Sequence, residues 1–224
     1  TCFILSLFGG SIRYNTPMLF ALSFIPMFGI GGLTGLPLGL PLSDIPLHDT
    51  YYVIGHFHYV VAPGTIFAIF AGIYFWFPKI TGKPLNEVLG KVHFTFSFIF
   101  MNLFFMPMFF QGLAGLSRRM VDGGSSYAHS SGVIHYNEFM MYASWGLAVA
   151  QLPFMFNIVM TLLKKRDENP DPNPWQATTL EWVAAPSPPI GHGNFPEEPT
   201  VYRGPYEYSV PGADTDFSPQ NKKD

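Results

Sequence analysis

The sequence predicts an all-α polytopic membrane protein: a partial transmembrane helix bundle with four full spans and an extended, proline-rich C-terminal tail. Three observations carry this. Only 12% of the 224 residues are charged, about half the share of a soluble domain. The charges are also uneven, residues 1–163 holding 11 Asp, Glu, Lys and Arg and residues 164–224 holding 16. Finally, four stretches contain none of them: Asn15–Ser43, Thr50–Pro78, Phe94–Ser117 and Phe139–Leu163. At 1.5 Å per residue each gives about 36–44 Å of helix, enough to cross a ~30 Å hydrocarbon core with some tilt. They show no period-2 alternation, which argues against a membrane β-barrel.

In chain order, residues 1–10 (TCFILSLFGG) are apolar with no basic segment ahead of them. This is not a signal peptide; it reads as the remnant of a preceding transmembrane helix, and the chain as a fragment or one half of a split protein. Residues 11–166 form the four-helix transmembrane portion. Pro26, Pro63, Pro107 and Pro153 fall inside its spans, where neighbouring helices can satisfy the backbone groups a proline frees, so kinks are expected rather than breaks. Residues 167–224, with eleven prolines and scattered acids, form the extended tail, to which no chemistry is assigned.

The basic residues give the orientation. Counted by alternate sides, Arg13, Lys79, Lys83, Lys91, Lys164, Lys165 and Arg166 fall on one face, and only Arg118 and Arg119 on the other. The first face is then cytoplasmic, or the matrix side in a mitochondrion, and the tail lies there. The connections Asp44–Asp49 and Arg118–Glu138 meet on the outer side. A net charge of −3 without basic runs among aromatics excludes a nucleic-acid partner. The single cysteine, Cys2, excludes a disulfide framework, a Cys-rich zinc site and C-x-x-C-H haem attachment.

The densest chemistry is HDTYYVIGHFHYV, His48 to Val60. His56 and His58 lie one to two turns inside an apolar helix, where an ionisable group is costly and marks a functional site by default. Two residues apart is about 200° of rotation, so the imidazoles project from nearly opposite faces and do not share one metal ion. Neutral imidazole suits iron, copper and zinc. The aromatic, glycine-containing surroundings (Tyr51, Tyr52, Gly55, Phe57, Tyr59) accommodate a large flat macrocycle with an axial histidine, and haem is the natural candidate. Phe57 points between the two directions. The other reading is a pair of hydrogen-bonded interface histidines; the H-F-H arrangement favours haem.

His48 and Asp49 stand at the outer mouth of that helix. They could ligate a hard divalent ion such as Mg²⁺ with waters, although spacing alone favours Asp49 as the helix N-cap. Arg118 and Arg119 suit bidentate carboxylate binding and could hold haem propionates, or lipid headgroups. His93, His129, His135 and His192 are read as lying at helix ends or in the tail.

Taken together, GGLTG (Gly31–Gly35), HDTYYV with HFHYV (His48–Val60), NxxFxPMFFQGLAGLSRR (Asn102–Arg119), TTLEW (Thr178–Trp182) and SPPIGHGNF (Ser187–Phe195) make the sequence resemble subunit I of the haem–copper oxidases, of the aa3 cytochrome c oxidase type. The resemblance runs from the first residue to about Phe195 and implies the end of helix VIII and helices IX to XII of that subunit. It implies His56 as the proximal ligand of haem a3, His58 as an axial ligand of haem a, and Phe57 between the haems. His48 and Asp49 become magnesium ligands in place of the capping role, Arg118 and Arg119 propionate partners, and Asp44 a member of the same outer hydrogen-bonded cluster. Ser117 stands where many members carry Pro, which should alter the turn and not the role.

The resemblance further implies reduction of O2 to water with electrons from cytochrome c, coupled to outward proton pumping. The ligands of copper B, the second axial ligand of haem a and the crosslinked tyrosine are not in this chain, which alone should be inactive. Expected partners are the N-terminal part of subunit I, oxidase subunits II and III, cytochrome c, O2 and the lipid bilayer. The expected location is the bacterial plasma membrane, with the mitochondrial inner membrane as the alternative. The competing functions are a haem-binding quinol oxidase, a diheme electron-transfer subunit without oxygen chemistry, and a nonredox transporter or channel.

Overall fold

The structure, a computed structural model, describes residues 1–10, 12–165, 171–189, 195–205, 207 and 217–223. Among them the regular structure is helical: α1 (Cys2–Leu7), α2 (Thr16–Gly39), α3 (Pro41–Leu47), α4 (Tyr51–Val61), α5 (Ala68–Thr81), α6 (Glu87–Leu113), α7 (His135–Ala150), α8 (Leu152–Leu163) and α9 (Leu180–Val183). A π-helical segment, Ala62–Phe67, joins α4 to α5, and a 3-10 turn, Ala128–Ser130, precedes α7. Four helical runs are long and apolar enough to cross a membrane: Thr16–Gly39, Tyr51–Thr81, Glu87–Leu113 and His135–Leu163, with mean hydropathy 1.6 to 1.8. They match the four expected spans, except that the third begins at Glu87, seven residues before Phe94, and the fourth at His135, four before Phe139.

The prolines act differently from one another. Pro26 and Pro107 remain inside α2 and α6. Pro63 lies in the π-helical segment, a form of helix defect common at functional sites. At Pro153 the run His135–Leu163 continues through a local irregularity of the kind expected: Gln151, still helical at φ −79° and ψ −18°, separates α7 from α8, because a proline two residues on has no N–H to continue the ladder.

Two compact units form, one of Asn15–Gly72 with Glu87–Asn157, the other of Thr1–Tyr14, Ile73–Asn86 and Ile158–Asp224. In the first, Asn15 caps α2 by accepting from the Met18 amide at 3.1 Å. Glu87, in the first turn of α6, reaches across to accept from the Thr16 amide (2.7 Å) and hydroxyl (3.0 Å), satisfying donors that α2 cannot satisfy itself. Fully buried Phe20 meets Phe67 and Phe94 edge-on, at 5.3 and 5.1 Å between ring centres.

In the second unit the tail is tied to the end of α5. Trp182 is 1% exposed and stacks on Trp76 at 5.7 Å. Buried Lys79 donates to the Ala185 carbonyl at 2.8 Å and lies over the Trp182 ring. Trp175 Nε1 donates to Phe75 O, and Arg13 donates to Trp175 O, both at 2.9 Å. Lys83 closes the loop between α5 and α6 by donating to the carbonyls of Leu162 and Lys164.

Candidate functional site

The site grows from the two ends of α4. At its start, Thr50 is the N-cap: its Oγ1 accepts from the Tyr52 amide at 3.2 Å while donating to Leu47 O at 2.6 Å. The capping role that spacing assigned to Asp49 therefore belongs to its neighbour. Asp49 instead takes a left-handed backbone, φ 57°, uncommon for a non-glycine residue.

The partner of Asp49 comes from the end of α6. That helix closes in a Schellman motif: Leu116 N–H bonds Gln111 O at 3.0 Å and Gly115 N–H bonds Gly112 O at 2.9 Å. Gly115 supplies the required left-handed residue at φ 78°. Leu116, next along, is fully buried. Its carbonyl accepts from Tyr51 N at 2.9 Å, and Arg118 N donates to Asp49 O at 2.9 Å, so Thr50 and Ser117 form an antiparallel bridge. The two connections expected on one side are thus sewn together through their backbones.

Around this bridge the charges assemble. The Arg118 guanidinium pairs with the Asp49 carboxylate. His48 lies 3.7 Å from Asp49 through Nε2 and 3.7 Å from Asp44 through Nδ1. Hydrogen bonding from Arg118, helped by the charges of Arg118, His48 and Arg119, holds the Asp49 carboxyl below the usual carboxylate range. Arg118 Nε is buried and lacks a hydrogen-bond partner. Arg119 is exposed and left-handed, φ 67°. Among the described residues no three His, Cys, Asp or Glu side chains gather as a metal site; the His48–Asp49 pair is a two-residue donor set.

One and a half turns into α4 lies the pair of histidines. His56 Nδ1 is 2.8 Å from Gly31 O and 3.3 Å from Thr34 Oγ1, both on α2. A carbonyl only accepts, so Nδ1 carries the proton and donates, which leaves Nε2 with its lone pair. Gly35 makes room for this arrangement, since a Cβ there would stand 2.8 Å from His56 Cε1. His58 is set in the same way by a different acceptor. Its Nδ1 is 2.8 Å from Ile54 O, one turn back on α4. Its ring stacks on Phe105 of α6, 4.5 Å between centres and 18° between planes. The imidazoles therefore face α2 and α6 respectively, and Phe57, 41% exposed, projects between them. Histidines that ligate metals are commonly oriented through such a bond from the other ring nitrogen. Two Nε2 lone pairs on separate faces, with a buried guanidinium nitrogen in want of an acceptor, fit groups that carry iron and carboxylates.

The remaining histidines divide. His93 is not at a helix end: it lies two turns inside α6 with no exposure, its Nε2 3.1 Å from Gln151 Oε1 and its ring stacked on Phe154. His129 lies in the 3-10 turn and His135 opens α7. His192 is outside the described residues. Three groups escaped the sequence reading: the Gly31 carbonyl with Thr34 and Gly35, the Thr50 cap, and Phe105. The first had a signal, since residues 31, 34 and 35 share one helix face.

The family model for "Cytochrome C and Quinol oxidase polypeptide I" matches residues 1–149. The chain belongs to this family. It is 45% identical over 220 residues to the alternative cytochrome c oxidase subunit 1 of Bradyrhizobium diazoefficiens, covering 98% of this chain and 37% of that protein. It is 45% identical over 205 residues to cytochrome c oxidase subunit 1 of Synechocystis, covering 92% and 35%. Against cytochrome c oxidase subunit 1 of Cereibacter sphaeroides it is 39% identical over 188 residues, covering 83% and 32%. The chain thus spans about a third of the length of these curated relatives. The fold resembles a chain from the cryo-EM structure of a heme-copper terminal oxidase dimer, with TM-score 0.60 and 22% identity over 69% of this chain and 28% of that one. The chain is a multi-pass membrane member of an oxidase subunit I family.

Proposed function

We propose that this chain is the C-terminal part of subunit I of an aa3-type cytochrome c oxidase, a proton-translocating oxidoreductase that reduces O2 to water. One observation carries the reading: each histidine of the H-F-H triplet has its Nδ1 proton committed to a backbone carbonyl, so each offers Nε2 to a metal on its own side of α4. His56 would hold haem a3 and His58 haem a, with Phe57 between the two histidines. When bound, the haems supply electron transfer and, with copper B, oxygen reduction.

The chain's own part is to hold and tune. Gly31 O and Thr34 fix the tautomer of His56, Ile54 O fixes that of His58, and Phe105 sets the plane of the His58 ring. Arg118, through the Nε left free by Asp49, and Arg119 bind haem propionates. His48 and Asp49 bind magnesium with waters, and Asp44 orients His48 through their 3.7 Å contact. The copper B ligands come from other segments of the subunit. Electrons arrive from cytochrome c by way of subunit II, subunit III completes the core, and this chain alone is inactive. The bacterial relatives support a bacterial plasma membrane, and the excess of Lys and Arg on the face that carries the tail supports its lying on the inner side.

A carbon-monoxide difference spectrum of the assembled complex tests this. A Soret shift on the reduced enzyme, marking one open haem site, is the expected result. Two haems that both ignore carbon monoxide would indicate a diheme electron-transfer subunit, and a preparation without Soret absorbance would remove haem binding altogether.

A further inference from the structure

We propose that Tyr59 and Asn102 are positioning residues that set the roll of α4 and hence the aim of both histidines at once; this rests on the haem-ligand reading above. At 100° per residue, taking His56 as 0°, Phe57 lies at about 100°, His58 at about 200° and Tyr59 at about 300°. Phe57 thus bisects one sector between the imidazoles and Tyr59 lies near the middle of the other. The two aromatics are treated oppositely: Phe57 is 41% exposed and Tyr59 1%.

The buried one is pinned. Tyr59 Oη donates to Asn102 Oδ1 of α6 at 2.8 Å. Asn102 is in turn fixed by its own amide, which donates to Phe98 O at 2.8 Å and lies 3.8 Å from Met27 Sδ of α2. One phenol therefore ties the histidine helix to a side chain that is itself tied to the ladder of α6 and touches α2. Three residues along α6 from Asn102, on the same helix face, Phe105 carries the His58 ring. Helix α6 thus holds the anchor and the platform on one stripe.

The magnitude makes the pin matter. With side chains at a radius of about 5–6 Å, a roll of 10° moves a side-chain tip by about 1 Å. A site of this kind tolerates about 0.5 Å. The local bonds of His58 do not resist such a roll, because Ile54 O belongs to α4 and turns with it. His56 is held from α2 alone, through Gly31 O and Thr34 Oγ1. The Tyr59–Asn102 bond resists from α6.

The test uses the assembled oxidase carrying Tyr59→Phe, Asn102→Leu and both together. Expected are shifted low-spin haem g-values and a shifted high-spin Soret band in the same Tyr59→Phe protein, with full haem content. The double variant should shift no further than the larger single one, since the two residues act through one bond. If Tyr59→Phe fails to assemble because it strands the Asn102 carbonyl, the double variant removes both polar partners and restores assembly, and the shift is read there. Unmoved spectra with only a lowered melting temperature would overturn the proposal. His58→Ala in the same background separates the two failures: if it abolishes the low-spin signal while Tyr59→Phe leaves it unmoved, the positioning role alone is wrong. If His58→Ala leaves the signal intact, the ligand reading is wrong.

Discussion

Arg118 grips Asp49 twice, once by its backbone N–H to the Asp49 carbonyl at 2.9 Å and once by its guanidinium to the carboxylate. The first bond belongs to the bridge that joins the end of α6 to the start of α4. The second leaves Arg118 Nε buried and unpaired. A residue that both fixes a loop and keeps a donor in reserve is suited to hold an anion beside the helix that presents the histidines.

That double grip makes the loop before α4 acid-sensitive. A carboxyl whose folded pKa lies below its unfolded value adds stability above about 3.9 and loses it as pH falls through the folded value. The Asp49 carboxyl is lowered in this way by Arg118. Arg118→Gln should return it toward the ordinary range, so that the bridge is looser already at neutral pH and changes less on acidification than in the parent protein. Hydrogen exchange at the amides of Tyr51 and Arg118, followed across the acid range in nanodiscs, checks this. Identical profiles for the two proteins would contradict it.

Asp122 organises the next loop by the same sign of effect and a different cause. Its carboxylate accepts from the amides of Gly124 (3.0 Å) and Ser126 (2.8 Å) and lies 3.3 Å from Ser125 Oγ. Hydrogen bonds, Ser126 foremost, bring its pKa down to about 2. The turn should therefore persist from neutral pH until acid titrates the carboxyl near that value. Asp122→Ala should speed exchange of the Gly124 and Ser126 amides at neutral pH, because no acceptor remains; unchanged protection would show that the loop holds itself.

The four spans and the two histidines were legible because they are properties of composition. Charge-free length specifies a crossing helix, and an imidazole amid apolar residues stands out whatever surrounds it. Opposed imidazole directions follow from helical pitch alone. What stayed hidden depends on which residue another helix presents. Nothing local says that Gly31 O will meet His56, that Tyr59 will find Asn102, or that Thr50 will take the cap beside Asp49. The cap was misread because Asp and Thr are both good caps and adjacent, and the choice was made by Arg118, sixty-nine positions along. His93 was misplaced for a related reason: the charges of Glu87 and Lys91 hid the first turns of α6 from a count of charge-free residues.

Gly35→Ala should displace the His56 ring without touching any charge. The added methyl would stand 2.8 Å from Cε1 and about equally far, 3.5 Å, from both ring nitrogens, so the ring cannot evade it by a flip. The Nδ1 bond to Gly31 O must lengthen or the helices must part. The expected outcome in the assembled complex is loss of most oxygen consumption with the high-spin Soret band altered and the low-spin band retained, since His58 is held on the α6 side. Equal loss of both bands would mean that the substitution acts on α4 as a whole.

Ser117→Pro should be tolerated, and the reason lies in which backbone groups the bridge employs. Tyr51 N–H goes to Leu116 O, and Arg118 N–H goes to Asp49 O. Neither bond uses the Ser117 N–H, the one group that proline removes. Position 117 also follows the Schellman end of α6 at Gly115 and Leu116, where proline is common because the helix has already stopped. A proline at a compatible position stabilises by about 0.4–1 kcal/mol through the unfolded chain. The variant should therefore keep its haem spectra and melt at the same temperature or slightly higher. A lower melting temperature with an altered Arg118 amide exchange rate would show that the ring turns Arg118 away from Asp49, and that the serine is needed for the turn as well as permitted by it.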